Sequence, residues 1–249
     1  MNQECFSLRS ESALGRPNFL CIGQPHAGES RLADMLATHR DIRLPRDAGT
    51  YFTYNYYRGE KWYLERFAGG RAPRLGEIGP MYLYGDLAPS RVAAFRSIRK
   101  LIVLLRDPAS WLAARYHHIR RSSRRVANRA YFLEYHGHEF DRLCVHSFLA
   151  LYLSLFDRED FLFVTTDALR TDGQVVARQL ADFLEIEPDG FASPPRPSRR
   201  PGLPRLWAHA PSPPDWLFEE LQARRVLVNE QTERLGEAIG RDLSGWRID

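Results

Sequence analysis

A short run of large aliphatic side chains within RKLIVLLRD (99–107) constrains the fold of this chain more than any other feature. Five apolar residues are followed at once by a charged pair, Arg106 and Asp107. A continuous apolar run of this length is typical of a parallel strand that is covered on both faces. Because Asp107 suits an N-cap and Pro108 the first position of a helix, the pattern predicts a buried strand followed directly by a helix.

Strand-like and helix-like segments alternate elsewhere along the chain. NFLCIG (18–23) predicts a first strand, and ESRLADMLATH (29–39) predicts an amphipathic helix after it. DFLFVTTDAL (160–169) repeats the strand pattern, and DGQVVARQLADFLEI (172–186) predicts the helix that follows. Strands that alternate with helices indicate an α/β fold in which helices flank a central parallel β-sheet in a doubly wound arrangement.

The turn between the first strand and its helix looks like a phosphate-binding loop with one residue exchanged. The Walker pattern G-x-x-x-x-G-K-S/T is matched at Gly23, Gly28 and Ser30, but Glu29 stands in the position of the lysine. A carboxylate in that position would repel a triphosphate. The loop therefore binds another ligand, holds its anion in a different way, or no longer binds one.

Several groups near this loop have the chemistry to hold an anion. A strand, a glycine-containing turn and a helix start present unpaired backbone N–H groups, and His26, Ser30 and Arg31 add side-chain donors. The alternative is a plain strand-to-helix turn in which Gly28 supplies backbone freedom. Arg106 follows a strand end as well, so it either contacts the same ligand at a second phosphate or pairs with a surface carboxylate.

The length of 249 residues favours one domain over 1–249, with a flexible N-terminal segment at 1–16. Two stretches lack helical or strand periodicity. Residues 120–146 are basic and aromatic, and residues 193–214 hold eight of the sixteen prolines. We expect both to be loops near the binding cleft, since long loops at strand ends form the crevice of α/β folds; the alternative is a solvated loop in each case.

Composition restricts the ligand and the compartment. All but two of the 35 basic residues are arginine, and neither lysine lies in the glycine-containing loop, so arginine forks, hydroxyls and backbone N–H groups must hold any anion. The balanced net charge of +4 and the absence of a recognition motif argue against nucleic acid. No apolar stretch is long enough to span a membrane, and no signal peptide or cysteine framework is present, so we expect a cytoplasmic protein without a metal site.

Five motifs in order resemble the sulfotransferases that use 3′-phosphoadenosine 5′-phosphosulfate (PAPS), particularly the branch that acts on carbohydrate and small-molecule hydroxyls. The family patterns include P-K-x-G-S/T-S/T after the first strand, G-E-x-S/T-P-x-Y, and R-D/N-P-x-x-R-x-x-S-x-Y after a central strand. The corresponding segments here are PHAGES (25–30), GEIGPMY (76–82), RDPASWLAARY (106–116), LFDREDFLFVTTDALRTDGQVVARQLADFLEI (155–186) and NEQTERLGEAIGRDLSGW (229–246).

Several family positions are changed in this chain. His26 replaces the lysine that contacts the 5′-phosphate, and Glu29 replaces the first hydroxyl of the loop. Ala114 replaces the serine that contacts the 3′-phosphate, although Ser110 lies one helical turn earlier on the same face and is a substitute.

The family segment that carries the usual catalytic glutamate aligns with DAGTYF (47–52). Ala48 takes the place of the glutamate and Asp47 that of the neighbouring lysine. Asp47 and Glu77 are therefore the candidates for the base, and the alternative for Glu77 is a structural residue at a strand end. His26, if protonated, is the candidate for steadying the departing phosphate.

The resemblance implies a P-loop-like sulfotransferase fold and the transfer of a sulfuryl group from PAPS to a hydroxyl of a carbohydrate or small molecule, with 3′,5′-adenosine bisphosphate (PAP) as the product. The alternative is a degenerate homologue without catalysis that binds a nucleotide or a partner protein. The catalytic candidates are His26, Asp47 and Glu77. The residues assigned to the donor are Pro25, His26, Ala27, Gly28, Glu29, Ser30, Arg31, Arg106, Ser110, Ala114, Arg199, Arg200 and Gly202.

The acceptor and the oligomeric state are not readable from the sequence. The aromatic segment YFTYNYYRGEKWY (51–63) either stacks on a sugar or aromatic acceptor or packs as a lid or core. We expect neither nucleic acid nor a membrane as a partner.

Overall fold

The computed structural model describes residues 15–45, 49–69, 72–191 and 212–249. The chain divides into two compact units, one made of Met1–Leu105 and Tyr152–Pro197, the other of Arg106–Leu151 and Ser198–Asp249. A single domain over 1–249 stays a prediction. The expected flexible segment at 1–16 and the expected loop at 193–214 lie largely outside the described residues.

The first unit contains a five-stranded parallel sheet with the strand order β2-β3-β1-β4-β5. The fold class expected from the alternating pattern is therefore confirmed. Its strands are β1 (Phe19–Gly23), β2 (Ile42–Arg43), β3 (Arg74–Ile78), β4 (Lys100–Leu105) and β5 (Phe161–Thr165).

The helices of the described residues follow the strands as the pattern indicated. Their bounds, in chain order, are α1 (Glu29–Ala37), α2 (Gly59–Glu65), α3 (Ala88–Ala94), α4 (Pro108–Ser122), α5 (Arg129–His136), α6 (His138–Asp141), α7 (Val145–Leu155), α8 (Thr166–Thr171), α9 (Gly173–Leu184), α10 (Asp215–Ala223) and α11 (Arg225–Ile239). The strand expected over 160–169 is shorter than that range, because Thr165 caps α8 by accepting a hydrogen bond from the Ala168 N–H.

The core of the first unit lies between the sheet and the amphipathic faces of α1 and α9. Alternate residues of β1, β4 and β5 point into it, which explains why both α1 and α9 carry apolar side chains at helical spacing. Burial of each large aliphatic side chain contributes about 1.5–3 kcal/mol. The buried residues include Phe19, Cys21, Leu32, Met35, Leu36, Ile102, Leu104, Val164, Val176, Leu180 and Leu184.

The second unit is helical and has its own aromatic core. Trp111 and Tyr116 of α4 pack with Phe132 of α5 and Phe140 of α6, and Leu217 and Leu221 of α10 join the same cluster.

The expectation of a loop over 120–146 is wrong. The segment consists of the end of α4, a 3₁₀ turn at Arg124–Ala127, the helices α5 and α6, and the start of α7. Asn128 caps α5 by accepting a hydrogen bond from the Tyr131 N–H. Because α5 and α6 span only eight and four residues, their buried residues do not produce one continuous helical period in the sequence.

Across the part of the chain that the structure describes, no helix combines the length and the apolar character needed to cross a membrane.

Candidate functional site

The turn between β1 and α1 lies after the central strand of the sheet, at the carboxyl edge where open α/β sheets bind ligands. Its backbone depends on unusual dihedral angles at three residues, with φ values of 134° at Gly23, 66° at His26 and 110° at Gly28. Gly23 is opposite Leu104 of β4, and a Cβ atom at position 23 would lie 2.2 Å from the Leu104 carbonyl oxygen. The turn therefore requires glycine at its entry and holds one definite shape.

The carboxylate of Glu29 folds back onto this turn. The His26 N–H donates a hydrogen bond to Oε1 of Glu29 at 2.7 Å, and the Gly28 N–H donates to Oε2 at 3.1 Å. A negative side chain is favourable here, since Glu29 is the first residue of α1 and the helix dipole attracts an anion. Two N–H groups of the phosphate-type loop are thus satisfied by the protein's own carboxylate.

The other side of the turn is tied to the segment that follows β5. The Thr166 hydroxyl donates to the Ala27 carbonyl oxygen at 2.9 Å and lies 3.3 Å from the Leu105 carbonyl oxygen. Arg31 donates from Nε to the Leu169 carbonyl oxygen at 2.6 Å, so its side chain is held against α8. Thr166 was missed in the sequence, where the only signal is a hydroxyl residue directly after a strand.

The remaining loop candidates differ in exposure. Pro25 and Ala27 are buried, His26 is half-buried, and Ser30 is exposed on the first turn of α1. Their assignment to the donor stays a prediction.

Glu77 lies in β3 beside β1 and is fully buried. Its Oε1 accepts hydrogen bonds from the hydroxyls of Tyr82, at 2.6 Å, and Tyr63, at 3.0 Å. Its Oε2 lies 3.9 Å from Nη2 of Arg66 and accepts no hydrogen bond from a described residue. Burial raises the pKa of this carboxyl group, and the Tyr82 hydrogen bond, the Arg66 charge and the Tyr63 hydrogen bond oppose that rise only in part. This environment favours the structural alternative for Glu77, while its role as a base stays a prediction.

Replacing Glu77 with glutamine should change the free energy of unfolding by less than about 1.5 kcal/mol, because the amide oxygen still accepts from both tyrosine hydroxyls. A raised folded pKa means that the wild-type group stabilises the fold below its unfolded pKa and that this stability is lost as the pH rises through the folded pKa. The stability of the glutamine variant should not show this decrease with rising pH in chemical denaturation measured over a pH series.

The kcat of the same variant tests the catalytic role of Glu77. Unchanged kcat would exclude Glu77 as the base, and a fall of about 100-fold or more in a folded variant would support that role.

Arg106, Ser110 and Ala114 belong to the second unit. Asp107 caps α4 as expected, with its carboxylate accepting a hydrogen bond from the Ser110 N–H at 2.8 Å. Ser110 is exposed and Ala114 is 2% exposed, so the two positions of α4 differ in environment. Arg106 is half-buried.

Four candidates, Asp47, Arg199, Arg200 and Gly202, lie outside the described residues. Ala48 lies there as well. Among the residues that are described, no cluster of three or more His, Cys, Asp or Glu side chains has the arrangement of a metal site.

The aromatic segment at 51–63 is divided between two environments. Tyr51 and Tyr63 stack with their ring centroids 4.2 Å apart, and Phe52 packs against Tyr63, so these three rings belong to the core. Tyr54 and Tyr57 are 68% and 81% exposed. Packing therefore accounts for Tyr51, Phe52 and Tyr63 at the two ends of the segment, and stacking on an acceptor stays a prediction for Tyr54 and Tyr57.

A parallel sheet with a phosphate-type turn after its central strand defines the class as an α/β fold of the mononucleotide-binding type. Residues 86–194 match the sulfotransferase domain family. A sulfotransferase from Alicyclobacillus acidocaldarius has a similar structure, with a TM-score of 0.74, 25% identity, and coverage of 94% of this chain and 100% of that chain. The chain therefore resembles sulfotransferases in sequence over residues 86–194 and in structure over 94% of its length.

Two curated relatives share parts of the sequence. Heparan sulfate glucosamine 3-O-sulfotransferase 3A1 of Mus musculus is 30% identical over 106 residues, which is 41% of this chain and 26% of the relative. The bifunctional heparan sulfate N-deacetylase/N-sulfotransferase 1 of Caenorhabditis elegans is 23% identical over 189 residues, which is 68% of this chain and 22% of the relative. The chain thus spans about a quarter of the length of these relatives.

Proposed function

We propose that this protein transfers a sulfuryl group from PAPS to a hydroxyl of a carbohydrate or small-molecule acceptor. The strand–turn–helix at Gly23–Ser30, in a sheet of the sulfotransferase type, is the observation that carries this proposal. The names of the relatives, which include heparan sulfate sulfotransferases, support a carbohydrate as the acceptor class.

The loop backbone and its side chains fit the donor to different degrees. The helix start of α1 and the left-handed turn suit a phosphate group. The Glu29 carboxylate does not suit it, because it is itself an anion and already accepts the N–H groups of His26 and Gly28. That contact favours the second candidate function, a homologue that binds a nucleotide or a partner without catalysis.

Binding of PAP tests the proposal and separates it from other nucleotide functions. At 100 times its dissociation constant, PAP should stabilise the folded protein by about 2.7 kcal/mol, which corresponds to a rise in Tm of about 5–10 °C for a chain of this size. ATP with Mg²⁺ is the control and should raise Tm less. If millimolar PAP leaves Tm unchanged, the proposal of donor binding is refuted.

Replacing Arg106 with alanine should weaken PAP binding about 10- to 150-fold, because a charge-assisted hydrogen bond of about 1.5–3 kcal/mol is lost. Isothermal titration calorimetry gives the two dissociation constants. Arg234→Ala is a matched control, since Arg234 is an exposed arginine of α11 that pairs with Glu230. If Arg106→Ala and Arg234→Ala bind PAP with equal affinity, Arg106 does not contact the donor.

A further inference from the structure

We infer that Glu29 is a built-in competitor of the donor: its carboxylate holds the loop N–H groups that the donor's 5′-phosphosulfate would take, so that donor binding requires this side chain to leave the loop. The inference rests on the proposed function, since it concerns the same turn.

The contacts of Glu29 resemble those of a bound anion. Both carboxylate oxygens accept a backbone N–H, one from His26 at 2.7 Å and one from Gly28 at 3.1 Å. Hydrogen bonds from N–H groups to a carboxylate are shorter and stronger than neutral ones. An incoming anion must therefore replace bonds that already exist.

The backbone of the loop cannot rotate to point its N–H groups away from Glu29. The close approach of Gly23 to Leu104 fixes its entry, and the Thr166 hydroxyl holds the Ala27 carbonyl oxygen from the other side. Rotation of the Glu29 side chain is the simpler change. Glu29 is only half-buried, at the first position of α1, so that its side chain has solvent to move into.

Charge makes the two occupants mutually exclusive. A phosphosulfate and the Glu29 carboxylate would both be negative within one turn of the chain, and like charges at this distance repel. The family lysine is absent from the loop, and Arg31 is held by the Leu169 carbonyl oxygen. Little fixed positive charge in the loop offsets the repulsion.

Selectivity follows from this competition. A small anion such as sulfate or phosphate can accept hydrogen bonds only from the loop N–H groups. The Glu29 carboxylate accepts the same bonds and, being part of the chain, is present at a high effective concentration. A nucleotide that also bears an adenosine and a 3′-phosphate gains contacts elsewhere and can displace the carboxylate. Glu29 therefore makes the loop reject small anions and accept only the whole donor.

The test compares PAP binding by the wild type and three variants in isothermal titration calorimetry. Glu29→Gln keeps the size of the side chain and removes its charge, and Glu29→Ser restores the family hydroxyl with a side chain too short to reach both N–H groups. Asp34→Asn is the matched control, because it removes one exposed negative charge from the same helix. We expect Glu29→Gln and Glu29→Ser to bind PAP at least about tenfold more tightly than the wild type, and Asp34→Asn to bind within about twofold of it.

A second readout follows the contact itself. Amide hydrogen exchange at His26 and Gly28 should be faster in Glu29→Gln than in the wild type, and inorganic sulfate should slow it again in the variant only.

The possible outcomes separate the inference from the proposed function. Equal, measurable affinities of the wild type and both Glu29 variants overturn the inference and leave the proposed function intact. Binding by the Glu29 variants alone supports the inference and assigns the wild type to the non-catalytic alternative. Absence of PAP binding in all four proteins overturns the proposed function and the competition together.

Discussion

Alanine at position 23 should lower the free energy of unfolding of the chain by about 2–6 kcal/mol, from backbone strain of about 1–3 kcal/mol and steric overlap of similar size. Gly23 has φ 134°, and an added Cβ would lie 2.2, 2.6 and 2.9 Å from the backbone O, N and C atoms of Leu104. Those atoms belong to β4, which pairs with β1 on one side and β5 on the other, so they cannot move without breaking the sheet.

Urea denaturation followed by circular dichroism measures this loss, and Gly245→Ala is the control. Gly245 has no atom within 4 Å of an added Cβ and no positive φ. Its replacement should change the free energy of unfolding by no more than about 0.5 kcal/mol. Equal stability of the two variants would contradict the close contact between Gly23 of β1 and the Leu104 backbone of β4.

Removing the carboxylate of Glu139 should destabilise the second unit by about 3–5 kcal/mol, the usual cost of breaking a buried ion pair. Glu139 of α6 is fully buried, and its carboxylate lies 2.7 Å from Nη2 of Arg115 and 3.0 Å from Nη1 of Arg142. In Glu139→Ala both guanidinium groups lose this acceptor in a partly desolvated environment. Glu230→Ala, which removes an exposed partner of Arg234, is the matched control and should cost about 0.5 kcal/mol or less.

The same carboxylate should make the stability of the wild type depend on acid pH. Burial acts to raise the pKa of Glu139, but the hydrogen bond and charge of Arg115, with the charges of Arg142 and His138, outweigh it and hold the pKa below its usual value. A lowered folded pKa gives stability that is fully present above the usual pKa of about 4.5, which applies in the unfolded chain, and that is lost as the pH falls through the folded pKa. Glu139→Gln should lack this part of the acid loss in pH-dependent denaturation. An identical acid profile in the variant would show that Glu139 is not ion-paired.

The elements that sequence reasoning found are those with strong local signals. The apolar run before Arg106 predicted β4, and Asp107 with Pro108 predicted the start of α4, since both follow from local propensity and capping. The helices within 120–146 were missed because residues such as Val126 and Phe132 are buried by contacts distant in sequence.

The site shows the same division between local and distant determinants. The position of the loop after β1 could be predicted from the glycine spacing and the apolar run. The direction of the Glu29 side chain could not, because it depends on the left-handed backbone at His26 and Gly28. Thr166 lies 139 residues from the Ala27 carbonyl that it contacts, so no local pattern connects them.

Sulfuryl transfer can be measured by incubating the protein with radiolabelled PAPS and a panel of carbohydrate and small-molecule hydroxyl acceptors, with PAP release and labelled acceptor followed together. We expect acceptor-dependent release of PAP, transfer of the label to a hydroxyl, and a large loss of both in Arg106→Ala. A folded wild-type protein that neither binds PAP at millimolar concentration nor consumes PAPS with any acceptor would contradict the proposed sulfuryl transfer.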